Sequence, residues 1–399
     1  MTKEGVSAFF VEREEKMLYS LGSILLLGLF LGAIAEKIKL PKLVGMLLAG
    51  IMLGPYCLNQ IDTKVLAISS DIRKVALMII LLKAGLSLDL KDLKKAGRSA
   101  ICLSFLPASF EILGYILILP HVTGCTILDA AIIGSILAAV SPAVVVPRMV
   151  KLIEEGYGTK KVIPQMILAG SSCDDVFVIV LFTSFVSMAT GSGINIRSFI
   201  NIPISIILGI LLGIGIGIIL SKIFNLIKDQ SLQVCLLLGI SCLLVLIDDY
   251  LPISGLLAVI SLATTLHHLM DVKKLSTYFS EIWKFAEILL FVLVGAAVNI
   301  QYLGAVGIRA ILVILLALLF RCVGVFLSVL KTGLNKKEIL FCMLAYIPKA
   351  TVQAAISSIP LAMGLECGEL ALSIAVMGII ITAPLGAFLI DNFYKKLLV

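Results

Sequence analysis

The chain has 399 residues, of which 60% are hydrophobic and 14% charged, and its mean hydropathy is +1.14. Soluble domains carry about 25% charged residues, so this composition excludes an ordinary soluble protein and points to a polytopic membrane protein. The net charge of +7 would suit a nucleic-acid partner, but the placement of the charges argues against one.

Apolar stretches of roughly 17–25 residues span a ~30 Å hydrocarbon core. Thirteen candidates follow one another at 17–36, 41–58, 72–88, 97–119, 126–147, 162–189, 199–221, 232–248, 252–268, 282–299, 305–330, 338–362 and 369–393. The expected fold is therefore all-α, a single membrane domain over residues 1–399 with thirteen transmembrane helices and short linkers. The opening MTKEGVSAFFVEREEK mixes acids with bases and precedes no small-residue cleavage site. The first span is accordingly expected to be a retained helix rather than a signal peptide.

With the N-terminus outside and the C-terminus inside, the inward segments hold twenty Lys and Arg residues and the outward segments eight. That asymmetry follows the positive-inside rule, so the basicity reports topology and implies no nucleic acid. The nine cysteines form no C-x-x-C pair, and most sit in apolar runs, as Cys102, Cys235, Cys242 and Cys322 do. They are read as small core residues, not disulfides or metal ligands.

Lys83, Arg321 and Lys349 lie inside apolar runs, as do Glu111, Asp174, Asp175 and, nearer a helix end, Glu287. Lys284, at the inner edge of its span, can snorkel. A charge at the bilayer centre costs ~2.5–3.5 kcal/mol on insertion scales, so each must face the protein interior, find a partner or line a wet path. Asp174 lies 12 residues beyond Val162, Glu111 14 beyond Gly97, Lys349 11 beyond Glu338, and Arg321 9 before Leu330. At 1.5 Å per residue all four stand roughly 14–21 Å from the inner boundary, near the midplane. Glu111 and Arg321 are expected to form a structural ion pair. Asp174 and Asp175, in GSSCDDVFVIVLF, outnumber any single partner and point about 100° apart on a helix, so one can pair while the other faces a cavity. Ser171, one turn before Asp175, could lend an oxygen to a hard monovalent cation that competes with a proton for the carboxylate.

Two spans contain internal prolines. Pro142 and Pro147 lie in AAVSPAVVVPR, with Ser141 beside the first, and Pro348 lies in AYIPKATVQAA beside Lys349. Internal proline removes a helix hydrogen bond and tends to break the helix. If span 7, at 199–221, is a linker, spans 1–6 and 8–13 are two halves starting on opposite sides, with breaks in spans 5 and 12. Inverted repeats with discontinuous helices crossing at the midplane characterise secondary transporters.

KLVGMLLAGIMLGP, LLKAGLSLDLKDLKK, AVSPAVVVPRMVKL, AGSSCDDV, LLFVLVGAAV, YIPKATVQAAISS and ITAPLGAFLI occur in that order. On these stretches the chain resembles the monovalent cation/proton antiporter superfamily, most closely its NHA-type sodium/proton antiporters. The resemblance implies exchange of Na⁺ or Li⁺ for H⁺ across the cytoplasmic membrane, with no cofactor beyond the transported ions. It implies a homodimer in which spans 1–3 and 8–10 form a dimerisation scaffold, while spans 4–6 and 11–13, about 97–190 and 305–393, form a moving core. It also implies Asp175 as the main cation and proton carrier, Asp174 as its assistant or the partner of a base, and Lys349 as compensation for helix-end dipoles. Many relatives carry lysine where this chain has Arg321, and a glutamate of the tenth span is replaced by Ala297.

Alternatives remain open at this level. They are a K⁺/H⁺ antiporter of the same fold, sodium-coupled uptake of organic anions, and an intramembrane aspartyl protease using paired carboxylates. His121, His267 and His268, at loop edges, are candidates for sensing pH.

Overall fold

A computed structural model of the protein describes residues 17–87, 90–191, 196–247, 251 and 253–398. Lys3, Arg13 and Lys16 of the charge count lie outside the described residues, as do the side chains of Lys91, Lys94, Lys95 and Arg197 and the terminal positions 248 and 252 of two expected spans.

The described chain is helical: α1 Met17–Lys37, α2 Lys42–Leu53, α3 Thr63–Ala67, α4 Ser69–Ser87, α5 Leu90–Leu103, α6 Leu106–Thr123, α7 Ile127–Leu137, α8 Pro142–Glu154, α9 Ile163–Thr190, α10 Ile196–Leu226, α11 Gln230–Leu246, α12 Gly255–Leu269, α13 Lys273–Ala296, α14 Ile300–Ser328, α15 Lys336–Ala345, α16 Thr351–Ile356, α17 Ile359–Ala362 and α18 Gly368–Leu397. Among the described residues seven helical stretches are long and apolar enough to cross a membrane: Met17–Lys37, Gly97–Thr123, Ile127–Glu154, Ile163–Thr190, Ile204–Leu226, Gly307–Ser328 and Gly368–Leu397. Shorter apolar helices at Lys42–Leu53, Gln230–Leu246, Gly255–Leu269 and Thr351–Ala362 fill in between them.

Several boundaries differ from those expected. The second span, expected over 41–58, is helical only over Lys42–Leu53, because Gly54 and Pro55 end it. The span expected from 97 is interrupted between Leu103 and Leu106, and Gly97, with φ 74°, kinks α5. The helix expected from 282 begins at Lys273, since the stretch KKLSTYFSEIWKF is amphipathic rather than uniformly apolar. Lys284 accordingly lies well inside it and pairs with Glu281 at 2.7 Å. Arg73, one of the eight basic residues assigned to outward segments, is 5% exposed and donates to the Leu293 carbonyl near the end of α13, where a cation suits the helix dipole.

Small residues set the helix spacing. Gly45 of α2 packs against the Leu31 carbonyl of α1, Gly50 against that of Val292, and Gly295 of α13 against that of Leu47. Gly209, Gly213 and Gly217 bring α10 onto α12. In the other group, Gly114 of α6 touches Phe320 and Gly324 of α14 touches Leu106. These contacts run in opposite chain directions, so α6 and α14 are antiparallel, and the register they impose puts Glu111 opposite Arg321.

The first halves of the two broken helices start alike. Thr126 and Asp129 form a capping box at α7, and Asn335 and Glu338 form one at α15. Each satisfies free N–H groups of the first turn.

Glycine at position 50 is a steric requirement, since a methyl there would overlap the Val292 carbonyl. Gly50→Ala is expected to destabilise the protein by ~1–3 kcal/mol, the usual cost of overpacking. Gly239→Ala, where nothing lies within 4 Å of an added methyl, should leave the melting temperature in detergent unchanged or slightly raised.

Candidate functional site

The site begins with two interruptions. Leu137 ends α7, residues 138–141 are non-helical, and Pro142 opens α8. Pro142 has no N–H to return to Ala138, and it holds Ser141 extended, with ψ 109°, as a residue before proline prefers. Pro147, by contrast, stays within α8, so only the first of the two prolines marks the break. In the second interruption Ala345 ends α15, residues 347–350 are non-helical, and Thr351 opens α16. Ser141 N donates to Pro348 O at 2.8 Å, so the two unwound segments meet and bond directly.

Helix breaks in an apolar bundle free backbone groups that must find partners. The Leu137 carbonyl accepts from Lys349 Nζ at 2.5 Å. The Ala138 carbonyl accepts from Arg321 Nη1, and that of Ala139 from Gln353 Nε2 at 2.7 Å. Arg321 Nε donates to Tyr346 O at 2.5 Å. The freed N–H groups are met as well: Val140 N by Asp174 Oδ2 at 2.7 Å, Lys349 N by Thr382 Oγ1 at 3.1 Å, and Ala350 N by Gln353 Oε1 at 2.8 Å. Gly386 of α18 lies directly against the Pro348 ring, where a methyl would overlap it.

The cations that cap these carbonyls need counter-charges of their own. Arg321 Nη1 lies 2.7 Å from Glu111 Oε2, and Arg321 Nη2 lies 3.2 Å from Asp174 Oδ2. Lys349 Nζ stands 2.7 Å from Glu111 Oε1 and donates to Oε2 at 2.8 Å. Glu111, Asp174 and Lys349 are fully buried and Arg321 is 1% exposed. The expected pair of Glu111 and Arg321 is thus two corners of a four-charge cluster whose formal charges cancel. Lys349 sits against the helix-end carbonyl of Leu137 and on Glu111 besides.

Asp175 stands outside this arrangement. It is 7% exposed and its Oδ1 is buried without a hydrogen-bond partner. Among the described residues no ion pair or hydrogen bond reaches it. Ser171 is buried, and its hydroxyl donates to the Leu168 carbonyl at 3.1 Å, which leaves its lone pairs free. Asp174 Oδ1 and Ser141 Oγ are also buried and unpartnered. Carboxylate and hydroxyl oxygens are the type of donor a hard cation takes. Among the described residues no three His, Cys, Asp or Glu side chains are grouped to hold a metal ion, and the nine cysteines are free thiols.

Sequence reasoning missed Gln353, Thr382 and Tyr346. Gln353 was detectable as a polar residue one turn after Lys349 in an apolar run. The histidines lie apart from the cluster: His121 in the last turn of α6, and His267 with Nδ1 2.8 Å from the Leu86 carbonyl, beside a cleft of about 420 Å³.

Two interrupted helices crossing inside an apolar bundle, with charges gathered at the crossing, define a polytopic helical membrane transporter. Residues 23–394 match the family described as "Sodium/hydrogen exchanger, transmembrane". The chain is 34% identical over 379 residues to sodium/hydrogen exchanger 9B2 of Homo sapiens, covering 90% of this chain and 70% of that protein. Sodium/hydrogen exchanger 9B1 of Mus musculus is 34% identical over 394 residues, covering 92% and 69%. The chain therefore belongs to the sodium/hydrogen exchanger family, whose members are transporters rather than enzymes. Its fold matches that of the sodium proton antiporter MjNhaP1 from Methanocaldococcus jannaschii, with a TM-score of 0.83 at 24% identity over 96% of this chain and 98% of that one.

The geometry sets the expected response of the cluster. Glu111→Ala leaves Arg321 and Lys349 with one carboxylate and should cost ~3–5 kcal/mol of stability, as removal of one partner of a buried pair does. Adding Lys349→Ala restores neutrality and keeps the Arg321–Asp174 contact, so the double variant should melt higher than Glu111→Ala alone. Arg321→Ala, which strips partners from Glu111, Asp174, Ala138 and Tyr346 together, should not be rescued by Glu111→Ala. Additive losses for Glu111 and Lys349 in thermal melts would mean the two do not interact.

Proposed function

We propose that this protein is a secondary active antiporter that exchanges Na⁺ or Li⁺ for H⁺ across the cytoplasmic membrane by alternating access, with cation and proton competing for the Asp174/Asp175 pair. One observation carries the reading: among the described residues Asp175 is a buried carboxylate without a partner, next to four charges that already cancel. A lone carboxylate in a low-dielectric site is neutralised by a proton or by a cation. The same group can therefore bind either ion, and each displaces the other. Asp174, held by Val140 N and Arg321, serves as the fixed neighbour. Ser171 supplies a nearby oxygen.

Family membership supports the cargo, since the relatives are named as sodium/hydrogen exchangers. The transport framework we propose has thirteen crossings, arranged as two inverted six-helix repeats about the α10 linker, with the N-terminus outside and the C-terminus inside. The contacts between α6 and α14, and between the breaks of α7–α8 and α15–α16, pair equivalent elements of the two halves. Residues of about 97–190 and 305–393 then form the moving core. Spans 1–3 and 8–10 form the scaffold, through which two copies dimerise in the bilayer.

Neutralisation of the carrier also explains the coupling. A core with a bare carboxylate at the midplane pays a desolvation cost to move, and one with a bound proton or cation does not. Movement without either ion is suppressed, and exchange results.

Purified protein in liposomes with a pH-reporting dye tests this directly. Stepwise addition of Na⁺ or Li⁺ should release protons from the wild type, with K⁺ as the comparison, and Asp175→Asn should abolish the release while leaving a folded protein. Wild-type rates in that variant would refute Asp175 as the carrier.

Competition makes a second expectation. The apparent KM for Na⁺ should rise about tenfold for each unit the pH falls below the pKa of the site, ~1.4 kcal/mol of proton binding per unit, while the rate at saturating Na⁺ changes far less. Initial rates over a grid of Na⁺ and pH measure this, and a KM independent of pH would exclude a shared carboxylate.

A further inference from the structure

Gln353 is fully buried and stands in the first turn of α16, just after the second interruption. Its amide serves both interrupted helices at once. Oε1 accepts from Ala350 N at 2.8 Å, while Nε2 donates to Ala139 O at 2.7 Å and to Leu137 O at 3.4 Å. These partners fix which end of the amide is which, because a backbone N–H needs the oxygen and backbone carbonyls need the nitrogen.

Local structure accounts for half of this arrangement. A Gln or Glu at the third helical position commonly reaches back to the N–H of the residue before the helix, and a glutamate would serve that end equally well. Only the amide can also donate. Its donating end points away from α16, at carbonyls left free where α7 stops.

Ala139 O belongs to the same peptide unit as Val140 N, and Val140 N donates to Asp174 Oδ2 at 2.7 Å. A peptide unit is planar, with its C=O and N–H on opposite sides, so this one is gripped from both sides: by Gln353 on the oxygen and by Asp174 on the nitrogen. Residues 138–141 are non-helical, so no helical hydrogen bond holds the plane instead. Turning it would swing the N–H off the carboxylate. Arg321 Nη2 also reaches that oxygen, at 3.2 Å, but the peptide makes the shorter contact.

We propose that Gln353 is a positioning residue for cation binding: it orients the Ala139–Val140 peptide so that Val140 N–H holds the Asp174 carboxylate in place. This rests on the exchange reading above and adds to it a residue of the second interrupted helix that sets the geometry of an acid on α9. Groups that orient a metal-binding side chain weigh heavily on affinity, and their removal typically costs 10–100-fold.

Gln353→Met keeps the length of the side chain and removes both hydrogen-bonding ends. In liposomes at fixed pH the apparent KM for Na⁺ and for Li⁺ should rise roughly tenfold or more, with the rate at saturating cation retained. Gln353→Asn carries the amide on a side chain one methylene shorter, which cannot span both segments, and should raise KM as well. A residue that only stabilised the crossing predicts another pattern: both variants melt lower in detergent, fewer molecules are active, and KM equals that of the wild type. That result would overturn the proposal. Gly50→Ala, destabilised at the contact of α2 with α13, is the control and should keep the wild-type KM. A KM raised there as much as in Gln353→Met would also overturn the proposal, since instability alone would then explain the effect. Wild type and Asp175→Asn run beside these variants separate the two layers of inference. Exchange by the wild type, loss in Asp175→Asn and an unchanged KM in Gln353→Met would reject the role of Gln353 alone, whereas absence of exchange in the wild type would reject the proposed function and this role together.

Discussion

Backbone that cannot hydrogen-bond to water must bond within the protein, and in this molecule that requirement arises at the two places where a buried helix is interrupted. The break between α7 and α8 exposes the carbonyls of Leu137, Ala138 and Ala139 at the negative end of a helix. Lys349, Arg321 and Gln353 meet them in turn. Two cations in an apolar interior would be prohibitive by themselves, so Glu111 and Asp174 follow from the presence of Arg321 and Lys349. The cluster therefore answers a backbone problem first. Its closure at zero net charge is what makes the next acid along α9 different.

The adjacent aspartates show how differently two neighbouring acids of one helix can be held. Asp174 and Asp175 share a helix and nearly a depth, yet a rotation of about 100° between neighbours directs one into the Arg321 fork and leaves the other without a counter-ion among the described residues. An acid buried without a counter-ion is neutralised by a proton or by a cation.

Glycine placement holds these charges in register. Gly114 and Gly324 let α6 and α14 approach closely enough for Glu111 to reach Arg321, and Gly386 lets α18 press on Pro348 and offer Thr382 to the unwound backbone. In a membrane, helices gain little hydrophobic energy from association, and close packing of small residues supplies much of it. The same residues that bind the helices together thus aim the ionisable side chains at one another.

Composition and hydropathy were sufficient, from the sequence by itself, to determine a helical membrane protein, because uninterrupted apolar runs have no other stable use. The prolines at 142 and 348 marked both interruptions, since a missing N–H is a local chemical fact. The cost of intramembrane charge singled out Glu111, Asp174, Asp175, Arg321 and Lys349 before any partner was known. Helix ends in amphipathic or glycine-kinked stretches were less legible: α13 starts nine residues before its apolar run, and α5 and α6 divide a run that reads as continuous. Only the tertiary structure decided how the charges connect. That Arg321 bridges two acids, that Lys349 shares Glu111, that Gln353 caps Ala139 and that Asp175 is left over all depend on contacts between residues as far as 238 positions apart. Periodicity along one helix carries no information about which face of a distant helix will meet it, and for that reason the surroundings of the two aspartates could be told apart only once the crossing was in view.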